Sequence, residues 1–189
     1  MIIHPKAENN FNSKRNLGYL HIYTGEGKGK TSAALGVLLR AAGQNHKVTM
    51  IQFLTGDKDR GELKAVQQLG NNVEIIQFGR NDLQSIDDVH SVDAYFASQG
   101  LNYAREVMRR SQPDVLILDE LITAVNLELV PLADVIDFLD DRHNNIETII
   151  TGRDAHPVLL NMADLVTVME STKHYYDNDS FTARQGIEY

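Results

Sequence analysis

The sequence predicts an α/β fold: a three-layer sandwich with a mostly parallel sheet of about six strands. Three observations predict it. Six short apolar runs rich in Val, Ile and Phe alternate with stretches of helical periodicity, the pattern of parallel strands joined by crossover helices. The first run feeds a glycine-rich turn that opens directly into a helix. The fourth run ends in two consecutive carboxylates, Asp119 and Glu120.

The elements follow in order. Residues 1–18 are polar and Asn-rich, with Lys6, Lys14 and Arg15, and read as a flexible N-terminal arm. Residues 19–189 read as one nucleotide-binding domain, long enough to bury a sizeable core. Its first strand, 19–23, leads into Thr24-Gly25-Glu26-Gly27-Lys28-Gly29-Lys30-Thr31-Ser32 and then a helix over 33–42, apolar on most sides and stopped by Gly43. Strand, Gly-rich turn, Lys-Thr and helix together make a P-loop, so the sandwich is of the P-loop, RecA-like type. The motif is a variant: Thr24 stands where the usual pattern has its first glycine, and Gly25 comes one residue later.

A second strand spans 48–53, and a charged loop, 54–60, ends at Arg60. A short helix over 61–69 puts Leu63, Val66 and Leu69 on one side before Gly70. The third strand is 73–78, and 79–90 is a polar, acidic loop. Ser91 is placed to cap a helix running to about Arg110, with Val92, Phe96, Tyr103 and Val107 near one stripe and Gly100 as a weak point of about 1 kcal/mol. Residues 114–120 form the fourth strand. Pro131 opens a helix that turns Leu132, Val135, Ile136 and Leu139 inward. The fifth strand, 147–152, precedes Arg153; Pro157 opens a helix to about Ala163; 165–169 is the sixth strand. Lys173, His174, Tyr175, Tyr176 and Arg184 lie in the tail.

Composition narrows the function classes. A net charge of −8 argues against a broad nucleic-acid surface. Without cysteine there is no disulfide framework, thiolate metal site or thiol nucleophile. The seven histidines lack zinc-site spacing. No apolar run is long enough to cross a membrane and no secretory leader is visible, so the expectation is a cytoplasmic protein.

The chemistry of the turn is that of polyphosphate binding. Gly25, Gly27 and Gly29 let backbone N–H groups converge on phosphate oxygens, and the helix N-terminus adds partial positive charge. Lys30 neutralises phosphate and the Thr31 hydroxyl is a Mg²⁺ ligand. The strand ending in Asp119-Glu120 resembles a Walker B strand. Glu120 is the expected metal-holding carboxylate, with Asp119 behind it or in exchanged roles. Loops after the strands should gather at one sheet edge, which brings the P-loop, 54–60, 79–90, Glu120 and Arg153 together.

These residues and others resemble the ATP:corrinoid adenosyltransferases of the CobA/CobO/BtuR type, over about 17–189. Thr24 to Thr31 is similar to the family's shortened P-loop, usually with Asn in place of Glu26. Leu39-Arg40-Ala41-Ala42-Gly43 follows at the family's spacing, Gln52-Phe53 ends the second strand as in the family, Leu116 to Glu120 resembles its acidic strand, and Lys173-His174 and Gln185-Gly186-Ile187-Glu188-Tyr189 resemble its C-terminal blocks. Residues 150–157, Ile-Thr-Gly-Arg-Asp-Ala-His-Pro, resemble its Thr-Gly-Arg-Gly-Ala-His-Pro block.

The resemblance implies a reaction: cobalt(I) of a reduced corrinoid attacks C5′ of ATP and triphosphate leaves. It implies Mg²⁺, a cobalamin or precursor corrinoid as substrate, a homodimer and a reductase as electron source. Lys30, Thr31, Glu120 and Arg153 are then the expected catalytic residues. Residues 24–32, with Lys28 among them, and Arg60, Phe78 and Lys173 are the expected ligand contacts. Many members carry a Phe-Thr-Trp segment after the third strand, implicated in displacing the corrinoid's lower axial ligand. This chain reads Phe78-Gly79-Arg80 there and has no tryptophan, leaving Phe78, Leu83, Tyr95 and Phe96 as substitutes. Two other readings fit the motifs: a P-loop NTPase that cleaves the β–γ bond, and a non-catalytic binder of ATP and corrinoid.

Overall fold

The computed structural model of the protein describes residues 17–81, 91–175 and 182–188. Six strands make one sheet: β1 (Leu20–Thr24), β2 (Val48–Phe53), β3 (Val73–Phe78), β4 (Val115–Asp119), β5 (Glu147–Thr151) and β6 (Leu165–Val168). Their order is β3-β2-β4-β5-β1-β6, and every pairing is parallel. Parallel neighbours require crossovers, which the helices supply. These are α1 (Lys30–Gly43), α2 (Gly61–Val66), α3 (Ser91–Glu106), α4 (Leu121–Asn126), α5 (Leu132–Asp140) and α6 (Pro157–Met162).

Alternation along the central strands builds two cores. Leu116 and Leu118 of β4, Ile22 of β1 and Ile150 of β5 point to the face covered by α3 to α6. Val115, Ile117, Tyr23 and Ile149 point to the face covered by α1. All of β2 and β4 is buried, which explains why these strands read as continuous apolar runs. Each fully buried Leu or Ile here contributes about 1.5–3 kcal/mol.

Several expectations are corrected. Helix α1 starts at Lys30, so Lys30 and Thr31 sit in its first turn, and it runs through Gly43 to a cap at Gln44. Beyond Lys30 only its sheet-facing stripe is buried (Ala34, Leu38, Ala41 and Ala42), while Leu39 is 58% exposed. Helix α3 ends in a π-helical turn, Val107–Ser111, closed by Gln112 in the left-handed region. Its buried stripe is Asp93, Ala97, Gly100, Leu101 and Ala104. Gly100 is a packing position: a Cβ there would lie 2.8 Å from the Phe53 ring. Val92, expected on the inner stripe, is exposed.

The six-residue helix α4 was not expected. It fits directly after β4 because Glu120 takes a left-handed conformation, φ 62°, that turns the chain sharply. Pro131 caps α5 from just outside it, and Phe138 joins the inward set. Among the described residues the sheet is not covered on both faces at its β6 edge, where Leu165, Val166 and Val168 are exposed. Directly after β6 the chain meets the P-loop, where the Gly27 N–H donates to the Met169 carbonyl at 2.7 Å.

The expected arm lies outside the described residues except for its end, where the Gly18 N–H donates to Glu147 Oε2 at 2.8 Å. Leu83 and Tyr176 also lie outside them. Among the described residues no helix is long and apolar enough to cross a membrane.

Candidate active site

A cleft of about 720 Å³ opens at the carboxyl edge of the sheet, with the P-loop as its floor. Helices α1 and α2 make its apolar wall, and Glu120, Arg153 and the C-terminal segment close the other sides. The loop's glycines are needed for space as well as for conformation. Gly25 has φ +96°, and a Cβ on it would lie 2.4 Å from the Met169 carbonyl oxygen. A Cβ on Gly27 would lie 2.8 Å from the Glu170 backbone. The loop is thus pressed onto the end of β6, and α1 begins immediately after it. The first-turn N–H groups of α1 have no intrahelical acceptors, and the residues that carry them, Lys30, Thr31 and Ser32, line the cleft.

Lys30 is 6% exposed, and its Nζ donates to the carbonyls of Gly25 at 2.6 Å and Gly27 at 2.9 Å. Burial lowers its pKa, and the Glu120 charge opposes that shift. Beside it, the Thr31 hydroxyl donates to Asp119 Oδ1 at 2.9 Å. Thr151 at the end of β5 donates to the same oxygen at 2.7 Å, and Gln52 Nε2 on β2 lies 3.5 Å from Oδ2. Asp119 is 3% exposed; burial and then the Glu120 charge push its carboxyl up to about 6, against hydrogen bonds from Thr151, Thr31 and Gln52.

Glu120 lines the cleft, its N–H donating to Thr151 Oγ1 at 2.9 Å and its carboxylate accepting from the Thr123 hydroxyl. Of the two carboxylates, Asp119 is therefore the one hydrogen-bonded to Thr31. No group of three or more His, Asp or Glu side chains suited to a metal occurs among the described residues.

Three of the cleft's cations have carboxylate partners, whereas Lys30 is held by carbonyls. Arg153 pairs with Glu26 at 2.7 Å, Lys28 with Glu188 at 2.7 Å and Arg60 more loosely with Glu62 at 3.8 Å. The Arg60 Nε is buried without a hydrogen-bond partner.

Of the expected ligand contacts, Glu26, Gly27, Lys28, Gly29, Lys30, Thr31, Ser32 and Arg60 line the cleft, with Glu120 and Arg153. Thr24 and Gly25 lie beneath it. The Thr24 hydroxyl accepts the Ala155 N–H at 3.1 Å and so ties the P-loop to the 152–155 turn. Phe78 is elsewhere. Strand β3 is separated from β1 by three strands, about 19 Å at normal strand spacing. The Phe78 ring packs on Tyr103, with centroids 5.6 Å apart. Tyr95 and Phe96 contact each other on α3, and Lys173 is exposed outside the cleft, whereas His174 lines it.

Sequence reasoning gave no role to Thr123, Thr151, Glu62 or Glu188. Single hydroxyls and exposed-looking glutamates carry no periodic signal. For Thr151, adjacency to Gly152-Arg153 was the available clue.

Residues 16–189 match the family ATP:corrinoid adenosyltransferase BtuR/CobO/CobP. The chain is 32% identical over 173 residues to a corrinoid adenosyltransferase of Escherichia coli K12, covering 91% of this chain and 86% of the relative. It is 31% identical over the same length and coverage to the corrinoid adenosyltransferase CobA of Salmonella typhimurium.

By fold it is similar to the flagellar accessory protein FlaH of Methanocaldococcus jannaschii, with TM-score 0.55 and 14% identity over 80% of this chain and 71% of that one. A KaiC-like protein of Pyrococcus horikoshii gives TM-score 0.56 and 17% identity over 84% and 76%. These neighbours share the fold, a parallel six-stranded sheet sandwiched by helices. With the match spanning nearly the whole described sheet and cleft, the chain belongs to the ATP:corrinoid adenosyltransferase family.

Proposed function

We propose that the protein transfers the 5′-deoxyadenosyl group of ATP to cobalt(I) of a reduced corrinoid and releases triphosphate. The observation that carries this reading is the buried Lys30 beside the Thr31–Asp119 pair, at the floor of a cleft in a chain of this family. In the step proposed, the cobalt(I) electron pair forms the cobalt–C5′ bond. The C5′–O5′ bond breaks, its pair leaves on triphosphate, and cobalt becomes formally cobalt(III). The nucleophile belongs to the substrate, so no activated side chain is required.

The chain's work is to position C5′ and hold a highly charged leaving group. Lys30 exchanges its loop carbonyls for phosphate oxygens, with the N–H groups at the start of α1 beside it. Arg153 leaves Glu26 for the same purpose, and Arg60 faces the cleft from the opposite wall.

The oxygen donors suit Mg²⁺, a cation that takes one or two protein ligands and completes its shell with phosphate and water. Thr31 and Asp119 would hold it, and a buried carboxylate with a raised pKa is a group such a charge would neutralise. When bound, the ion supplies charge stabilisation to the triphosphate. Glu120, turned toward Thr123, orients the β4–α4 corner.

The same reading carries a homodimer, a reductase as electron donor and a cytoplasmic setting. To test it, protein, Mg-ATP and chemically reduced cob(I)alamin are mixed without oxygen. Light-sensitive adenosylcobalamin with triphosphate is expected. ADP and phosphate without adenosylcobalamin would instead support a β–γ cleaving NTPase.

A further inference from the structure

The C-terminal segment returns to the P-loop and is fastened there by one lysine. Lys28 Nζ donates to Glu188 Oε1 at 2.7 Å, to the Tyr175 hydroxyl at 2.8 Å and to the Ile187 carbonyl at 3.3 Å. An ammonium has three donors, and these three acceptors match them. Glu188 is gripped from several sides. It also accepts from the Tyr175 hydroxyl, the Arg184 N–H at 2.7 Å and the Arg184 guanidinium at 3.2 Å, and only 10% of its side chain is exposed. The fastened segment places Gly186, Ile187 and Glu188 in the cleft lining.

We propose that Glu188 is a positioning residue for nucleotide binding: through Lys28 it docks the C-terminal segment onto the P-loop, and the docked segment completes the wall of the cleft. Lys28 is on this account the post that holds the segment, while Lys30 and Arg153 meet the polyphosphate. Glu188 does not touch the ligand's reacting atoms. It fixes where Ile187 sits opposite the apolar wall of α1 and α2. The proposal rests on the reading of the cleft as a nucleotide site.

The test uses the full chain and its Lys28→Met, Glu188→Gln and double variants, each checked for cooperative unfolding. Mg-ATP affinity is measured, and tryptic release of the peptide 185–189, cut after Arg184, is timed by mass spectrometry. Each single variant is expected to weaken Mg-ATP roughly two- to fivefold, the scale of one partly exposed ion pair, and to speed release of the peptide. The double variant should be no weaker than either, because both act through one contact. Lys28→Arg should restore binding.

Tighter Mg-ATP binding in Glu188→Gln would overturn the proposal, since it would mean that Lys28 is a phosphate ligand held back by the tail. Weaker binding in Lys28→Met with no effect in Glu188→Gln would overturn it as well. Wild-type protein that binds no Mg-ATP would overturn the nucleotide reading and the tail's role in it; the tryptic arm would then still report the clasp by itself.

Discussion

Asp119 gives the site a pH dependence with a definite sign. Its folded carboxyl is raised to about 6 from an ordinary 3.8, chiefly by burial. Between those values the folded protein keeps a proton that the unfolded chain has lost. Stability from this group is therefore greatest below pH 4 and falls by about 3 kcal/mol as pH rises to 6. The difference in urea-unfolding free energy between wild type and Asp119→Asn should follow that curve and be flat above about pH 7. Mg-ATP affinity should weaken below pH 6 in wild type, because proton and cation compete for the carboxylate, and the slope should vanish in Asp119→Asn.

Lys30→Ala should lower adenosyl transfer by about 10²–10³-fold, the usual cost of removing one preorganised charge donor, read by steady-state turnover. Asp154 is a different case. It sits at φ 46°, a left-handed position where the family block resembled by the sequence has glycine. Asp154→Gly should raise the midpoint of thermal unfolding, by about 0.5–1 kcal/mol equivalent. The P-loop and both acids were legible because chemistry at a turn needs particular residue types at fixed spacing. The ranking of Asp119 over Glu120 as partner of Thr31 was not, since it depends on which side chain alternation turns toward α1.

Among the elements, α3 shows where sequence rules mislead. A glycine within a helix reads as a defect, yet Gly100 lets α3 lie against Phe53 and Phe78. Gly100→Ala should therefore destabilise by about 1–3 kcal/mol in chemical denaturation, although alanine is the better helix former. The four central strands were readable because they are buried as runs. Helix α4 was not, because a six-residue helix shows too little periodicity and its start depends on the left-handed Glu120. The burial of α1 was overestimated for a related reason. Leu39 is exposed and lines the cleft, and Leu35 lines it while also packing on the core, so a wide apolar surface here marks a site wall as well as a core.

At the scale of the whole molecule, strand order decides what meets what. Inserting β5 between β1 and β4 puts Thr151 beneath both the P-loop and the acidic corner, and the crossover order leaves β3 at the far edge. The parallel sandwich was legible from alternating strands and helices, but the order was not, because runs of similar length and composition can be permuted. Phe78 is remote for that reason. The return of the tail to the P-loop is likewise a long-range contact that no local pattern announces.

The most direct measurement of the central claim is a single turnover of ATP labelled with ¹³C at C5′ with cob(I)alamin. The label is expected to move to a cobalt-bound methylene, seen by ¹³C NMR, with one triphosphate released per adenosyl group. Label that remains in ADP or AMP, with no cobalt–carbon resonance, would contradict it.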